Sequence, residues 1–315
     1  MKTLKFRNND EMPAIGLGTW KSEPGKVEEA VKIALREGYR HIDCAAAYNN
    51  EGEIGNAFTE VFSEGKIKRE DVWVTSKLWN DSHRKEEVIP ALKQTLKDLQ
   101  LDYLDLYLMH WPVAFKNGVS FPEKDEDYLS LEEVPIIETW NAMIEAKEQG
   151  LVKHIGVSNF SIKKLEDLMS RTNDNPEMNQ VELHPFLQQD SLLEFSKKNN
   201  IHLTAYSPLG SGDRNQEMKA KNEPSLLEEP VIKKIAEKHS ASPGQILIKW
   251  SVERGTAVIP KSTSKGHIIG NLESEKINLD SQDMEDIDKL DRHFRYVTGE
   301  FFVTKKNPYE NIYDE

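Results

Sequence analysis

A chain of 315 residues with a hydrophobic fraction of 37% can bury a large core and suits an α/β barrel used as a single unit. Its net charge of −13 argues against nucleic acid or an anionic membrane as partner, so any anionic ligand needs local positive charge. A single cysteine, Cys44, cannot form an internal disulfide; with no apolar signal-peptide core and no run near the roughly 20 residues of a membrane span, a cytoplasmic protein is expected.

Residues 4–6 and 12–15 flank the turn-rich Asn8-Asn9-Asp10 and predict a small hairpin, expected to plug a barrel's base. Gly16-Leu17-Gly18 reads as a short first strand. Val27, Ala30, Val31, Ala34 and Leu35 recur at helical spacing, and Gly38 ends that helix. A strand ending at Asp43 follows, then a helix carrying Ile54, Ala57, Phe58, Val61 and Phe62. The strand ending at Lys77 precedes a helix with Val88, Leu92, Leu96 and Leu99. The strand ending at His110 precedes one with Trp140, Met143 and Ile144. A fifth strand spans 152–158, followed by a helix with Leu165, Leu168 and Met169. The sixth strand ends near Gln180-Val181-Glu182 and leads to a helix over 192–198; the seventh spans 201–206. Helices at 230–238 and 243–251 come before an eighth strand at 256–259. The second opens Ser242-Pro243-Gly244-Gln245, a cap, a proline at the first helical position and a glutamine at the third. Helical pattern returns from about Lys265 and over 281–290.

Eight apolar strands alternating with amphipathic helices predict parallel βαβ units closing a (β/α)8 TIM barrel. An open doubly wound sheet is the alternative, disfavoured by the strand count. One domain is expected: hairpin 1–15, barrel 16–290 and tail 291–315. Two long connections, 111–135 and 207–229, follow strand C-termini, the face where such barrels build their sites. The tail carries Phe294, Tyr296, Phe301, Phe302, Tyr309 and Tyr313, and either covers a pocket or wraps the surface.

Three strands end in or near ionisable groups: Asp43 with Tyr48 just beyond, Lys77, and His110. Together these types make an acid. A phenol with a pKa near ~10 donates poorly until its anion is stabilised. A lysine beside it favours the phenolate and lowers that pKa. A carboxylate holds the lysine charged, and a histidine hydrogen-bonds the substrate oxygen. Taken singly, Asp43 reads as an ion-pair residue, His110 as a core histidine and Tyr48 as packing. Other chemistries fit worse. No His-x-His or His-x-x-x-His spacing offers metal ligands, and Cys44 lies in an apolar stretch. Gly16-Leu17-Gly18 meets Lys21 where a dinucleotide loop needs its third glycine.

In the second half, Ser158-Asn159 and Gln180 offer amides and a hydroxyl for a carboxamide, and Tyr206 an aromatic face for a flat ring. Ile259-Pro260-Lys261-Ser262 ends the eighth strand and enters a helix, where a phosphate site commonly forms. Lys261 and Lys265 supply local positive charge, or else a solvated face.

With these residues in view the chain resembles the aldo-keto reductases over nearly its whole length. Gly38-Tyr39-Arg40-His41-Ile42-Asp43 through Tyr48 to Glu51-Gly52-Glu53-Ile54-Gly55 follows the family's first signature, and Lys153-His154-Ile155-Gly156-Val157-Ser158-Asn159-Phe160 its second. Ile259-Pro260-Lys261-Ser262 opens the third. Asn179-Gln180-Val181-Glu182-Leu183-His184-Pro185 and Tyr206-Ser207-Pro208-Leu209-Gly210-Ser211 also match, as does Met12-Pro13 through Gly16-Leu17-Gly18-Thr19-Trp20.

The resemblance implies NADPH-dependent reduction of small aldehydes or ketones, aldoses among them, by a monomer without metal. It makes Tyr48 the general acid, tuned by Lys77 and Asp43, with His110 orienting the carbonyl. Ser158, Asn159 and Gln180 would hold the carboxamide, with Tyr206 stacked on the nicotinamide. Ser207, Leu209 and Ser211 would line the pyrophosphate path. Thr19, Trp20, Lys261, Ser262, Thr263, His267 and Asn271 complete the implied cofactor contacts. Trp20, Ala47, Trp79, His110 and Trp111 would line the substrate pocket. The third signature departs from the family, which carries an arginine at the position of His267 and often an acidic residue at Gly270. A histidine is only partly charged near neutral pH, so a weaker preference for NADPH over NADH is expected. A non-catalytic, nucleotide-sensing barrel is the second reading, and a metal-dependent hydrolase a distant third.

Overall fold

The computed structural model describes residues 1–215, 219–303, 309 and 311–314. The expected hairpin comes first, β1 (Thr3–Lys5) paired antiparallel with β2 (Glu11–Pro13). Its turn is held by Asn8, whose Oδ1 accepts the Asp10 N–H at 2.9 Å, while Asn9 adopts φ 73.

Strand and helix then alternate. The first half comprises β3 (Leu17–Gly18), α1 (Val27–Arg36), β4 (His41–Asp43), α2 (Glu51–Ser63), β5 (Trp73–Leu78), α3 (Lys85–Leu99) and β6 (Leu104–Met109). A small antiparallel ribbon, β7 (Ala114–Phe115) with β8 (Tyr128–Leu129), stands in the long loop before α4 (Ile136–Glu148). The second half comprises β9 (Val152–Ser158), α5 (Ile162–Ser170), β10 (Met178–Glu182), α6 (Asp190–Lys198), β11 (His202–Tyr206), α7 (Pro230–Lys238), α8 (Pro243–Glu253), β12 (Ala257–Val258), α9 (Lys265–Glu273) and α10 (Ser281–Asp288). The ribbon has no sequence signal, because two-residue strands are too short to show alternation. The Tyr309 hydroxyl secures it, donating to Leu129 O at 2.6 Å and accepting from Ala114 N–H at 3.2 Å.

Eight parallel strands run in the order β3-β4-β5-β6-β9-β10-β11-β12. The two ends of that sheet meet. Val258 N–H donates to Ala14 O at 2.7 Å, Gly16 N–H to Val258 O at 2.9 Å, and Gly18 N–H to Pro260 O at 3.1 Å. Closure makes the sheet a (β/α)8 barrel and rules out the open alternative. Gly16 serves this seam, since a Cβ there would sit 2.6 Å from the His41 ring.

Alternation along the strands sorts the side chains. Trp73, Leu106, Leu108, Met178 and Ala257 form one core with Phe6 and Met12 of the hairpin. Val74, Leu78, Tyr107, Met109 and Leu203 belong to the larger core beneath the helices. Further along the same inward series come Lys77, four residues past Trp73, and His110, two past Leu108, at the C-terminal rim. The hairpin plugs the opposite end, with the Phe6 ring 4.8 Å from Trp73. α1 buries Val27, Ala30, Val31, Ala34 and Leu35, the spacing read from sequence, and Gly38 follows it at φ 110. α8 carries the predicted capping box, Ser242 with Gln245.

The tail crosses the rim. Phe302 packs edge-on against Trp111 at 5.1 Å, and Val297 and Phe301 line the cavity below. It therefore covers a pocket; its residues 304–308, 310 and 315 lie outside the described part. Among the described residues no helix is long and apolar enough to cross a membrane.

Candidate active site

A cavity of about 1170 Å³ opens at the C-terminal rim. It exceeds the roughly 300–1,000 Å³ of an ordinary small-molecule pocket. Both long loops and the tail contribute walls, through Phe121, Asp213 and Phe301 among others.

Lys77 is at the centre. Its Nζ lies 2.7 Å from Asp43 Oδ2 and donates to Cys44 O at 2.8 Å and to the Tyr48 hydroxyl at 3.2 Å. Lys77 and Asp43 are 0% and 1% exposed, so the pair has exchanged water for these partners. Burial alone would lower the lysine's pKa, but Asp43 and Tyr48 outweigh it and hold Lys77 above the usual lysine value. Tyr48 closes a single helical turn, Ala46–Tyr48, just past β4. The His110 ring stands edge-on to it at 5.8 Å and to Trp79 at 5.1 Å. Burial, then the Lys77 charge, pushes His110 well below the ordinary histidine range, which keeps the imidazole neutral.

Lys77 acts on Tyr48 in the expected direction, but its effect does not decide the net pKa: the phenol is pushed up to about 12. Burial is the largest cause. The Lys77 charge and hydrogen bond oppose it, so the lysine limits the rise without reversing it. Cys44 is not a nucleophile candidate: burial, with the Glu51 and Asp43 charges, pushes its thiol well up.

The residues assigned to a carboxamide join the same network. Gln180 Nε2 donates to Asp43 Oδ1 at 2.7 Å. Ser158 Oγ donates to Gln180 O at 2.7 Å, and Asn159 Nδ2 to His110 O at 3.0 Å. The Tyr206 hydroxyl donates to Asn159 Oδ1 at 2.7 Å, fixing the ring at the cavity wall. Thr19 Oγ1 donates to Asp43 O at 2.7 Å. Trp20, Ala47, Trp79 and Trp111 line the end nearest Tyr48. Trp79 Nε1 donates to Ser120 O at 2.8 Å and ties down the first long loop.

Ser207, Leu209, Ser211, Lys261, Ser262, Thr263 and His267 also line the cavity. Ser207 Oγ donates to Ser211 Oγ at 3.1 Å. Asp213 bridges the groove, 2.6 Å from Lys21 Nζ and 3.3 Å from Lys261 Nζ. Burial, and crowding by Lys261 and Arg214, keeps Lys21 below the usual lysine value despite Asp213. α9 begins at this wall with no side-chain cap on Ser264 and no acidic residue in its first turn. Uncapped amides, two lysines and three hydroxyls suit a phosphate, so the residues present fit a nicotinamide dinucleotide. Two expected residues are elsewhere. Asn271 is buried outside the cavity lining, its carbonyl accepting from Ser274 Oγ at 2.6 Å. Lys265 is exposed and pairs with Glu37 at 3.4 Å.

Sequence reasoning missed Lys21, Asp213 and Glu51. Lys21 follows Trp20 directly, but nothing in the sequence pairs it with Asp213. Glu51 is buried behind β5, where Ser76 Oγ donates to it at 2.5 Å and Thr95 Oγ1 at 3.0 Å. Burial pushes its carboxyl up to about 7 against those two donors. Among the described residues no three His, Cys, Asp or Glu side chains converge as a metal site.

Comparison with known proteins agrees with this geometry. Residues 14–292 match the sequence profile of the aldo/keto reductase family. An aldo/keto reductase of Synechocystis sp. is 49% identical over 317 residues, covering 100% of this chain and 97% of that protein. Aldo-keto reductase family 1 member A1 of Gallus gallus is 49% identical over 301 residues, 95% of this chain and 91% of its own. The Homo sapiens protein of that name is 47% identical over 303 residues, 96% and 93%. On these matches and its closed barrel, the chain belongs to the aldo/keto reductase family.

Proposed function

We propose that the protein reduces aldehydes and ketones to alcohols with NADPH, using Tyr48 as the general acid. The observation that carries this reading is Lys77, buried 2.7 Å from Asp43 and 3.2 Å from the Tyr48 hydroxyl. When bound, NADPH supplies the hydride for the carbonyl carbon. The chain supplies the proton and the positioning. Tyr48 holds its proton at neutral pH, being pushed up to about 12, and gives it up only as charge builds on a carbonyl oxygen. Lys77 stabilises the phenolate that remains, and Asp43 keeps Lys77 charged and in place. Neutral His110 donates a hydrogen bond to the carbonyl oxygen and orients it. Trp20, Trp79 and Trp111 pack the substrate and exclude water.

Ser158, Asn159 and Gln180 hold the carboxamide, and Tyr206 stacks on the ring. Lys21, Lys261, Ser262 and Thr263 meet the phosphates, with a weaker NADPH-over-NADH preference because position 267 is histidine. We read the enzyme as a cytoplasmic monomer; Cys44, buried and unpaired, suits a reducing compartment. The test is oxidation of NADPH, and separately NADH, with a panel of aldehydes. Turnover with NADPH above NADH supports the reading. Equal or better turnover with NADH defeats the cofactor assignment. Tight NADPH binding with no turnover on any carbonyl favours the nucleotide-sensing barrel.

A further inference from the structure

Two consecutive tail residues, Tyr296 and Val297, belong to no helix or strand, yet side chains take all four of their backbone groups. Tyr296 N–H donates to Glu182 Oε1 at 2.6 Å, and Val297 N–H to Glu182 Oε2 at 2.8 Å. Arg214 Nη1 donates to Tyr296 O at 2.5 Å, and the Tyr313 hydroxyl to Val297 O at 2.9 Å. Buried backbone groups away from secondary structure need such partners. Here they come from separate parts of the chain, so the dipeptide is a clasp joining them.

Glu182 is the barrel's share of that clasp. It ends β10, two residues past Gln180, in register with Tyr206. Its side chain is 0% exposed, and Oε1 also lies 2.8 Å from His184 Nε2. A fully buried carboxylate is kept only where donors surround it, and here two of those donors are tail amides. Burial opposes its charge, but His184, the Tyr296 amide and the Arg295 charge hold Glu182 below the ordinary carboxylate range. Arg214 is the share of the second long loop. It is buried, pairs with Glu223 at 2.5 Å, and follows Asp213, which bridges the groove. Past the clasp the chain runs directly into the pocket wall: Val297 and Phe301 line the cavity, and Phe302 packs on Trp111.

We propose that Glu182 is a positioning residue for substrate: through the Tyr296–Val297 backbone it sets the tail wall that packs against Trp111. The proposal rests on the carbonyl-reductase reading for its kinetic consequence, not for the clasp itself. Glutamine is the same size, but it loses the charge and turns an amide nitrogen toward a donor. One of the two tail bonds is then lost and the wall is released.

The test compares wild type with Glu182→Gln by three readouts. For wild type, hydrogen exchange at the Tyr296 and Val297 amides should be as slow as in β10. In Glu182→Gln it should rise by roughly tenfold or more at both amides, with thermal unfolding still cooperative. KM for bulky aromatic aldehydes should rise about tenfold, while kcat, NADPH affinity and KM for acetaldehyde, too small to reach the wall, stay within about threefold. A merely structural role would lower stability without splitting KM by substrate size. Fast exchange at these amides in wild type overturns the proposal. So does a folded Glu182→Gln protein with unchanged exchange and an unchanged KM ratio. If Glu182→Gln does not fold, Glu182→Asp, which keeps the charge but withdraws it by one methylene, is read by the same criteria. Absence of any carbonyl turnover in wild type would sink the proposed function and with it the kinetic role of Glu182, while the exchange result still decides the clasp.

Discussion

Gln180 Nε2 donates to Asp43 Oδ1 at 2.7 Å, joining residues 137 apart in sequence. The carboxylate that holds Lys77 is thus itself held by an amide of the cavity wall. Gln180→Ala leaves one oxygen of a buried carboxylate without its donor, a loss of roughly 1.5–3 kcal/mol for a bond to a charged group. NADPH affinity and kcat should therefore fall together, each about tenfold or more. Fluorescence titration alongside steady-state kinetics checks this; weakened binding with an intact kcat would show that the link has no bearing on the acid.

The Lys77–Asp43 pair is almost wholly out of water. Lys77→Met strands a buried carboxylate, which costs about 3–5 kcal/mol of stability. Adding Asp43→Asn removes the stranded charge, so the double variant should be more stable than Lys77→Met alone. Urea denaturation of the three proteins measures the coupling. Simple additivity of the two losses would contradict the buried-pair account.

Glu51 makes stability depend on pH in an uncommon direction. Its carboxyl is raised from 4.5 to about 7 by burial. A raised carboxyl favours the fold fully below its unfolded value, and that contribution is lost as pH rises through the folded value. At about 1.4 kcal/mol per unit, roughly 3 kcal/mol is at stake between pH 4.5 and 7. Melting temperatures of wild type and Glu51→Gln should therefore diverge in favour of the variant from pH 5 to pH 8. His83 acts oppositely, since burial lowers it to about 3. Its neutral form supports the fold above 6.5, and that support is lost as pH falls. Comparing Glu51→Gln with wild type cancels this term, present in both.

Trp79 Nε1 holds the first long loop through Ser120 O at 2.8 Å, while its ring stands edge-on to His110. Trp79→Phe keeps most of the ring and loses the bond, worth about 1 kcal/mol. KM for aromatic aldehydes should rise about fivefold with little change in kcat. A fall in kcat at constant KM would mean that the ring acts on His110 and the loop contact is incidental.

What was legible in the sequence was periodic or local. Apolar runs that each end in or near an ionisable group brought Asp43, Lys77 and His110 to one rim, and helical spacing exposed the buried face of α1. The capping box of α8 was readable from four consecutive residues. What was not legible depends on distant partners. Asp213 between Lys21 and Lys261, Glu182 beneath the tail and Gln180 against Asp43 have no local pattern. The net Tyr48 pKa was not legible, because a neighbouring lysine that lowers it can be named from sequence, while the burial that outweighs it belongs to the assembled pocket. Asn271 was placed in the cofactor set by resemblance, yet it lies one turn past His267. A rise of about 1.5 Å per residue carries it some 6 Å further along α9 and out of the cavity lining.

The most direct test of the central claim is Tyr48→Phe, read by single-turnover NADPH oxidation with an aromatic aldehyde and by NADPH binding. The account predicts that the chemical step slows by at least about 10²–10⁴-fold, the usual range for loss of a general acid, while NADPH affinity stays within about threefold. A chemical step within tenfold of wild type, with binding intact, would contradict Tyr48 as the proton donor.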